Sequence, residues 1–195
     1  KEECQDIAYK YSNISNCRKE YVNVKKYWED IINTLQVNTP MESTNILLNG
    51  WLVYQTITSR LYAKTGFYQS GGAYGFRDQL QDSMLTKYMV PEMAREQILR
   101  NSRHQFLEGD VEHWWHEETE KGIRTKFSDD LLWLPFVTAD YVDFTEDYSV
   151  LEEETTYKIG STLGENQNER YDFYGDSDFR ESLYKHCINA IEKSL

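Results

Sequence analysis

Three stretches of this chain gather side chains that can handle protons and hydroxyls. The first is Tyr68-Gln69-Ser70-Gly71-Gly72-Ala73-Tyr74-Gly75-Phe76-Arg77-Asp78-Gln79-Leu80-Gln81-Asp82. If a helix begins near Phe76, Arg77 and Gln81 share one face at a spacing of four, and Asp78 and Asp82 share a neighbouring one. Two carboxylates at that spacing repel, so the pattern calls for a compensating network, such as sugar hydroxyls held with Arg77. A solvated helix start, with acids favoured by the dipole, competes evenly with that reading. The Gly-Gly turn does not have the spacing of a nucleotide-phosphate loop.

The second stretch is Glu108-Gly109-Asp110-Val111-Glu112-His113-Trp114-Trp115-His116. His113, His116 and Glu112 are metal-ligand types, but no third and fourth ligand follows at a familiar spacing, so no metal is expected. Rings flanked by carboxylates suit the wall of a sugar subsite, because a pyranose offers C–H faces to stack and hydroxyls to bond. Aromatic packing under a loop is the plainer alternative. The third stretch is Phe127-Ser128-Asp129-Asp130-Leu131-Leu132-Trp133-Leu134-Pro135. Adjacent acids at a helix start read first as an N-cap and a first-turn carboxylate, where the dipole lowers a pKa and disfavours proton donation. Burial against Phe127 and the Trp residues, or a second carboxylate nearby, would shift one Asp the other way, towards a general acid. Nucleophile chemistry has little support: there is no GxSxG, and Cys4, Cys17 and Cys187 lie far from the His-rich stretch in sequence.

Composition narrows the ligand class. Thirty-three acidic against 21 basic residues leave a net charge of −12, which repels a phosphate backbone, so no nucleic-acid partner is expected and an anionic substrate must be held by a few local cations. Aromatic residues make up 14% of the 195; some belong to a core, and others stand in polar surroundings, as in His113-Trp114-Trp115-His116. The longest apolar stretches, such as Leu131 to Val137, fall far below the roughly 20 residues that span a bilayer, so no direct membrane contact is expected. Three cysteines without a CxxC pair read as thiols of a reducing compartment, which points to the cytoplasm.

The elements that must position these residues read as helices. Tyr21, Val24, Tyr27, Trp28, Ile31, Ile32 and Leu35 recur at helical spacing from Arg18 to Val37, and Ile46 to Leu61 continue a second run from near Ser43. Further helices are expected from Phe76 to Met89, from Pro91 to about Phe106, from Ser128 or Asp129 to about Phe144, and from Arg180 to Lys193. Glu108 to Ser128 reads as irregular, and Lys158 to Asp178, rich in Gly, Asn and acids, as a poorly packed surface excursion.

Taken in order, GFYQSGGAYGFRDQLQD (66 to 82), QFLEGDVEHWWH (105 to 116) and SDDLLWLP (128 to 135) resemble the catalytic domain of glycoside hydrolase family 94, and within it the phosphorylase-like domain of cyclic β-1,2-glucan synthases and the β-1,2-oligoglucan phosphorylases. The resemblance runs from Trp28 to about Leu195 and thins over 158 to 178. It implies an all-α fold, part of an (α/α)6 barrel. The reaction it implies is inverting: inorganic phosphate, a co-substrate and not a cofactor, attacks the anomeric carbon of a β-glucan oligosaccharide while one Asp protonates the departing oxygen. No base is needed, because phosphate is already a nucleophile at neutral pH. The same resemblance puts the acid at Asp129, with Asp130 as its rival, and sugar contacts at Arg77 and Asp82. It also implies that Gln105, His113 and Trp114 are subsite residues. In the family a Gly-Asp-Trp-Asn-Asp-Gly segment, further helices and part of the phosphate site follow the counterpart of Tyr184 to Ile191. These 195 residues are therefore expected to be one section of a longer chain, inactive alone and prone to self-association through an uncovered apolar face.

Overall fold

The computed structural model describes residues 2–64 and 71–195, so residues 65–70, the start of the first sequence block, lie outside the described residues. The chain divides into two units, Lys1–Tyr54 and Gln55–Leu195.

The first unit holds α1 (Glu2–Ser12), α2 (Ile14–Ile32), α3 (Glu42–Ile46), a π-helical turn Leu47–Trp51 and most of α4 (Leu52–Gln55). Helix α2 starts earlier than the apolar pattern implies because Asn13 caps it, its Oδ1 accepting from Ser15 N at 2.9 Å. It also stops earlier. The amide of Asn49 bonds both the N–H and the C=O of Val37, and Asn45 Oδ1 takes the N–H of Thr39, so the connecting backbone is satisfied without helix. Trp28 packs edge-on to Tyr54 at 4.7 Å. Among the unit's described apolar side chains only Ile31 and Val53 are fully buried, while Tyr21, Val22, Ile46 and Trp51 stand more than half exposed.

The second unit opens with a π-helical segment, Thr56–Tyr62. There follow β1 (Tyr74–Gly75), α5 (Phe76–Ser83), a 3-10 turn at Thr86–Tyr88, α6 (Pro91–Ser102), β2 (Glu112–His116) and β3 (Lys121–Thr125). A 3-10 turn at Asp130–Leu132 leads into α7 (Trp133–Thr145), and another at Tyr148–Glu152 precedes β4 (Glu154–Ile159), β5 (Glu169–Phe173), β6 (Gly175–Ser182) and α8 (Leu183–Ser194). The core lies between helices. Phe76 and Leu80 of α5, Ala94 and Ile98 of α6, Leu134, Val137 and Tyr141 of α7, and Leu183, Cys187 and Ala190 of α8 form one buried cluster that also takes in Trp115 of β2.

The all-α expectation therefore holds for this core and not for its edges, where, among the described residues, six strands form two antiparallel sheets. One sheet runs β1-β2-β3-β5 and the other pairs β4 with β6. The stretch Glu108 to Ser128, which reads as irregular, contains the β2–β3 hairpin. Its turn, Glu117 to Glu120, closes on a left-handed Glu120 (φ 53°) with no Gly or Asn to announce it. Gly122 is dictated by close approach: a Cβ there would lie 2.0 Å from Glu112 Oε1 and 2.9 Å from the Trp114 carbonyl oxygen. The 158 to 178 stretch is strand-bearing too. Few aliphatics are needed because polar ties hold it, with Tyr174 buried against Phe106 and its hydroxyl donating to Arg170 O at 2.8 Å. Helix α8 starts at Leu183, not Arg180, because Arg180 to Ser182 pair with Thr156 to Glu154.

Candidate functional site

Helix α5 is anchored at its first turn by side chains from its own sequence and from α6. Gln79 Oε1 accepts from Gly75 N at 2.5 Å, and Asn101, itself held by Gln97 at 2.6 Å, donates to Phe76 O at 2.7 Å. These buried bonds fix where Arg77 and Asp78 emerge. Arg77 Nη1 reaches Asp129 Oδ2 at 3.2 Å, and its Nε lies 3.6 Å from Asp78 Oδ1. Burial works against the Arg77 charge, but Asp129, Asp78 and Asp130 outweigh it, and its pKa is raised. The repulsion between Asp78 and Asp82 is answered by Arg60. Its Nε bonds Asp82 at 2.5 Å and its Nη2 lies 3.8 Å from Asp78. Burial raises the Asp82 carboxyl, with Arg60 offsetting part of the shift.

Asp129 occupies the N-cap position of the 3-10 turn but makes no capping hydrogen bond; its carboxylate turns to Arg77 instead. Asp130 is buried, 2% exposed, with Oδ2 at 2.6 Å from His113 Nδ1. A register shift between Glu112 and Trp114 puts a bulge at His113, and the Phe127 ring lies 4.7 Å from its imidazole. Bulges of this kind re-aim a side chain out of the alternating pattern of a strand. Trp114 packs between Tyr171 at 5.4 Å and His116 at 5.5 Å.

The sequence-derived candidates thus fall into separate groups. Arg77 and Asp129 touch, and Asp82 is linked to that pair through Arg60 and Asp78, whereas Asp130 and His113 form a second pair. Trp114 stands on the sheet. Gln105 is fully buried, with its Nε2 donating to Gly109 O and His186 O and its Oε1 facing His186 Nδ1 at 2.8 Å, so its amide braces α8. The three side chains weighed as metal ligands turn to different partners: Glu112 to His104, His113 to Asp130, and His116 to the Gly71 carbonyl.

The Glu112–His104 pair is a charge-neutral device below the hairpin. Burial pushes the Glu112 carboxyl up to about 8 and holds His104 well below the usual histidine range, so at neutral pH the acid proton bridges to Nδ1 at 2.5 Å. His104 in turn stacks on Trp115 at 3.7 Å. A carboxyl raised on folding stabilises fully at low pH and loses that contribution as pH rises from about 4.5 towards 8. His104, depressed on folding, loses its contribution in the other direction, as pH falls below 6.5. Glu112→Gln keeps a donor to Nδ1 without a titrating proton. Its thermal midpoint is expected to gain on the wild type between pH 5 and pH 8, by the equivalent of about 1–3 kcal/mol. Parallel melting curves for the two proteins would remove Glu112 as the source.

This arrangement of carboxylates, guanidinium and rings, on elements that alternate with packed helices, agrees with the family comparison. The catalytic-domain model of the glycosyl hydrolase 94 superfamily matches residues 27–195. The chain belongs to that superfamily. It is 38% identical over 171 residues to the cyclic β-(1,2)-glucan synthase NdvB of Rhizobium meliloti (strain 1021), an alignment that takes in 88% of this chain and 6% of the synthase. An N,N'-diacetylchitobiose phosphorylase of Vibrio furnissii is 24% identical over 218 residues, covering 97% of this chain and 25% of that enzyme. A solabiose phosphorylase of Paenibacillus borealis is 29% identical over 123 residues, 63% of this chain and 15% of its own. The chain thus spans a quarter or less of the length of these relatives. In this glycosyl hydrolase 94 section, Arg60 is the site residue that sequence reasoning missed. It lies 22 residues before Asp82 in a π-helical segment, and nothing local marks it except the unanswered repulsion of Asp78 and Asp82.

Proposed function

We propose that this chain is a sugar-binding section of an inverting glycoside phosphorylase or related glycosyltransferase, folded as part of an (α/α)6 barrel within a longer, cytoplasmic enzyme section. Its substrate is a β-linked glucan with inorganic phosphate as co-substrate. The single observation that carries this is the solvent-facing Arg77–Asp129 pair, 42% and 56% exposed at the side chains, next in sequence to Asp130, which holds His113. An exposed ion pair contributes about 0–1 kcal/mol to stability, so fold maintenance does not account for it, whereas sugar hydroxyls need such a fork of donors and acceptors. Of the two acids, Asp129 is the one a glycosidic oxygen can reach, and it is the candidate proton donor. Asp130 is enclosed. Greater identity to the β-1,2-glucan synthase than to the two disaccharide phosphorylases supports β-1,2-glucan as the linkage class.

The test is phosphate-dependent release of glucose 1-phosphate from β-1,2-gluco-oligosaccharides by the full-length parent. Release that depends on added phosphate is the expected result. Binding of the oligosaccharide without turnover would overturn the phosphorylase reading in favour of a carbohydrate-binding section of a larger glucan synthase, and absence of binding would overturn both.

A further inference from the structure

The Asp130 carboxyl is an expensive group to keep inside the protein. One oxygen, Oδ2, bonds His113 Nδ1 at 2.6 Å, while the other, Oδ1, is buried with no hydrogen-bond partner. An orphaned buried acceptor costs about 1–3 kcal/mol, so a residue retained only for stability would be better served by a neutral or apolar side chain. What the carboxyl does accomplish is geometric. A carboxylate oxygen facing Nδ1 accepts from Nδ1–H and thereby fixes the tautomer, which leaves Nε2 as the atom with a lone pair. His113 is about one-third exposed, and its Nε2 makes no hydrogen bond to any described residue. Three features then restrict the ring: the bulge that turns it out of β2, the Phe127 face at 4.7 Å, and the Asp130 bond. Asp130 follows Asp129 directly, and Arg77 feels the charge of both.

We infer that Asp130 is a positioning residue that acts through His113, orienting its imidazole so that Nε2 accepts a hydrogen bond from a hydroxyl of the sugar held at Arg77 and Asp129. The inference rests on the sugar-site reading above and deepens it. It divides the two neighbouring acids by role: Asp129 faces the substrate, and Asp130 holds the group that touches it. An Asn at 130 offers an N–H as well as a C=O to Nδ1. The imidazole then no longer has one preferred tautomer, and Nε2 becomes a donor in part of the molecules. A Gln at 113 places its amide near the Nε2 position without needing Asp130.

The experiment compares full-length wild type with Asp130→Asn, His113→Gln and the double variant. Three readouts are taken: melting temperature, KM for β-1,2-gluco-oligosaccharide, and KM for phosphate. Asp130→Asn is expected to raise the oligosaccharide KM on the order of 10–100-fold, the size of effect seen when a metal-bound histidine loses the partner that orients it. The melting temperature and phosphate KM should stay where they were. In the His113→Gln background the Asp130 change should add almost nothing, because both act through one contact. A fall in melting temperature with additive kinetic losses would overturn the inference in favour of a structural acid, and a rise confined to the phosphate KM would overturn it by moving the contact to the anion. Should the wild type lack phosphorolysis altogether, the function proposed above fails on its own. The same four proteins are then read by calorimetric binding of the oligosaccharide, where a 10–100-fold weaker affinity for Asp130→Asn supports the positioning role and unchanged affinity overturns it.

Discussion

Asp129→Asn in the full-length parent is expected to lower phosphorolysis of β-1,2-gluco-oligosaccharides by about 10²–10⁴-fold, the range a positioned general acid contributes. The substitution leaves the shape of the side chain and keeps an oxygen for Arg77, so the sugar can still bind. What it removes is the capacity to hand a proton to the departing glycosidic oxygen. Stability should hardly move, because the Arg77–Asp129 pair stands half in solvent at 3.2 Å. The loss should therefore appear in kcat. An activated substrate sharpens the result: one with a good leaving group, which needs no protonation, should recover much of the lost rate, and the natural linkage should not. If instead KM rises while kcat holds, Asp129 is a carboxylate that holds sugar hydroxyls and the proton comes from elsewhere in the parent chain.

How much of this site was legible in the sequence depends on the range of the interactions involved. The starts of α5 and α6 could be read because their signals are local, a Gly-bounded start for one and Pro at the first turn of the other, whereas α5 ends at Ser83 rather than Met89 and α6 at Ser102 rather than Phe106. The Asp78–Asp82 repulsion was legible too, but its answer was not. Arg60 reaches both acids from another segment, and a long-range partner leaves no mark in local spacing. The hairpin was missed for a related reason. Period-two alternation in Glu112 to His116 is broken by the bulge at His113, and the turn uses a strained Glu where Gly or Asn would have signalled it. Gln105 shows the reverse case. It sits inside a block that resembles the family site, yet its fully buried amide serves the helix α8 backbone and His186. Position in a motif shows that a residue matters there, whereas its hydrogen-bond partners show how.

Five residues before Asp129, Arg124 is a buried charge of β3 that ties the strand to the 108–110 and 160–161 segments. Its Nε and Nη2 grip both oxygens of Asp110 at 2.6 Å, Nη2 also reaches Glu108 at 2.9 Å, and Nη1 donates to the carbonyls of Gly160 and Ser161. The guanidinium lies 3.9 Å above the Phe106 ring. Burial opposes this charge, but Asp110 and Glu108 outweigh it and raise the Arg124 pKa. With Arg124 2% exposed, the pair is of the buried kind, in which removing one partner costs more than the pair itself contributes. Arg124→Met fills the volume but leaves Asp110 and the Gly160 carbonyl without a donor, while Ser161 O keeps the bond from Arg170 at 3.1 Å, and a loss of about 3 kcal/mol is expected in denaturant unfolding. Arg124→Lys should recover only part of it, because an ammonium cannot reproduce the planar fork on Asp110 or lie flat on Phe106. The companion variant Asp110→Asn separates charge from geometry: if its cost matches that of Arg124→Met, the ion pair itself holds the hairpin to the 160–161 backbone. A Met variant as stable as the wild type would mean that apolar volume against Phe106 alone keeps β3 in place, and that the polar partners rehydrate without penalty.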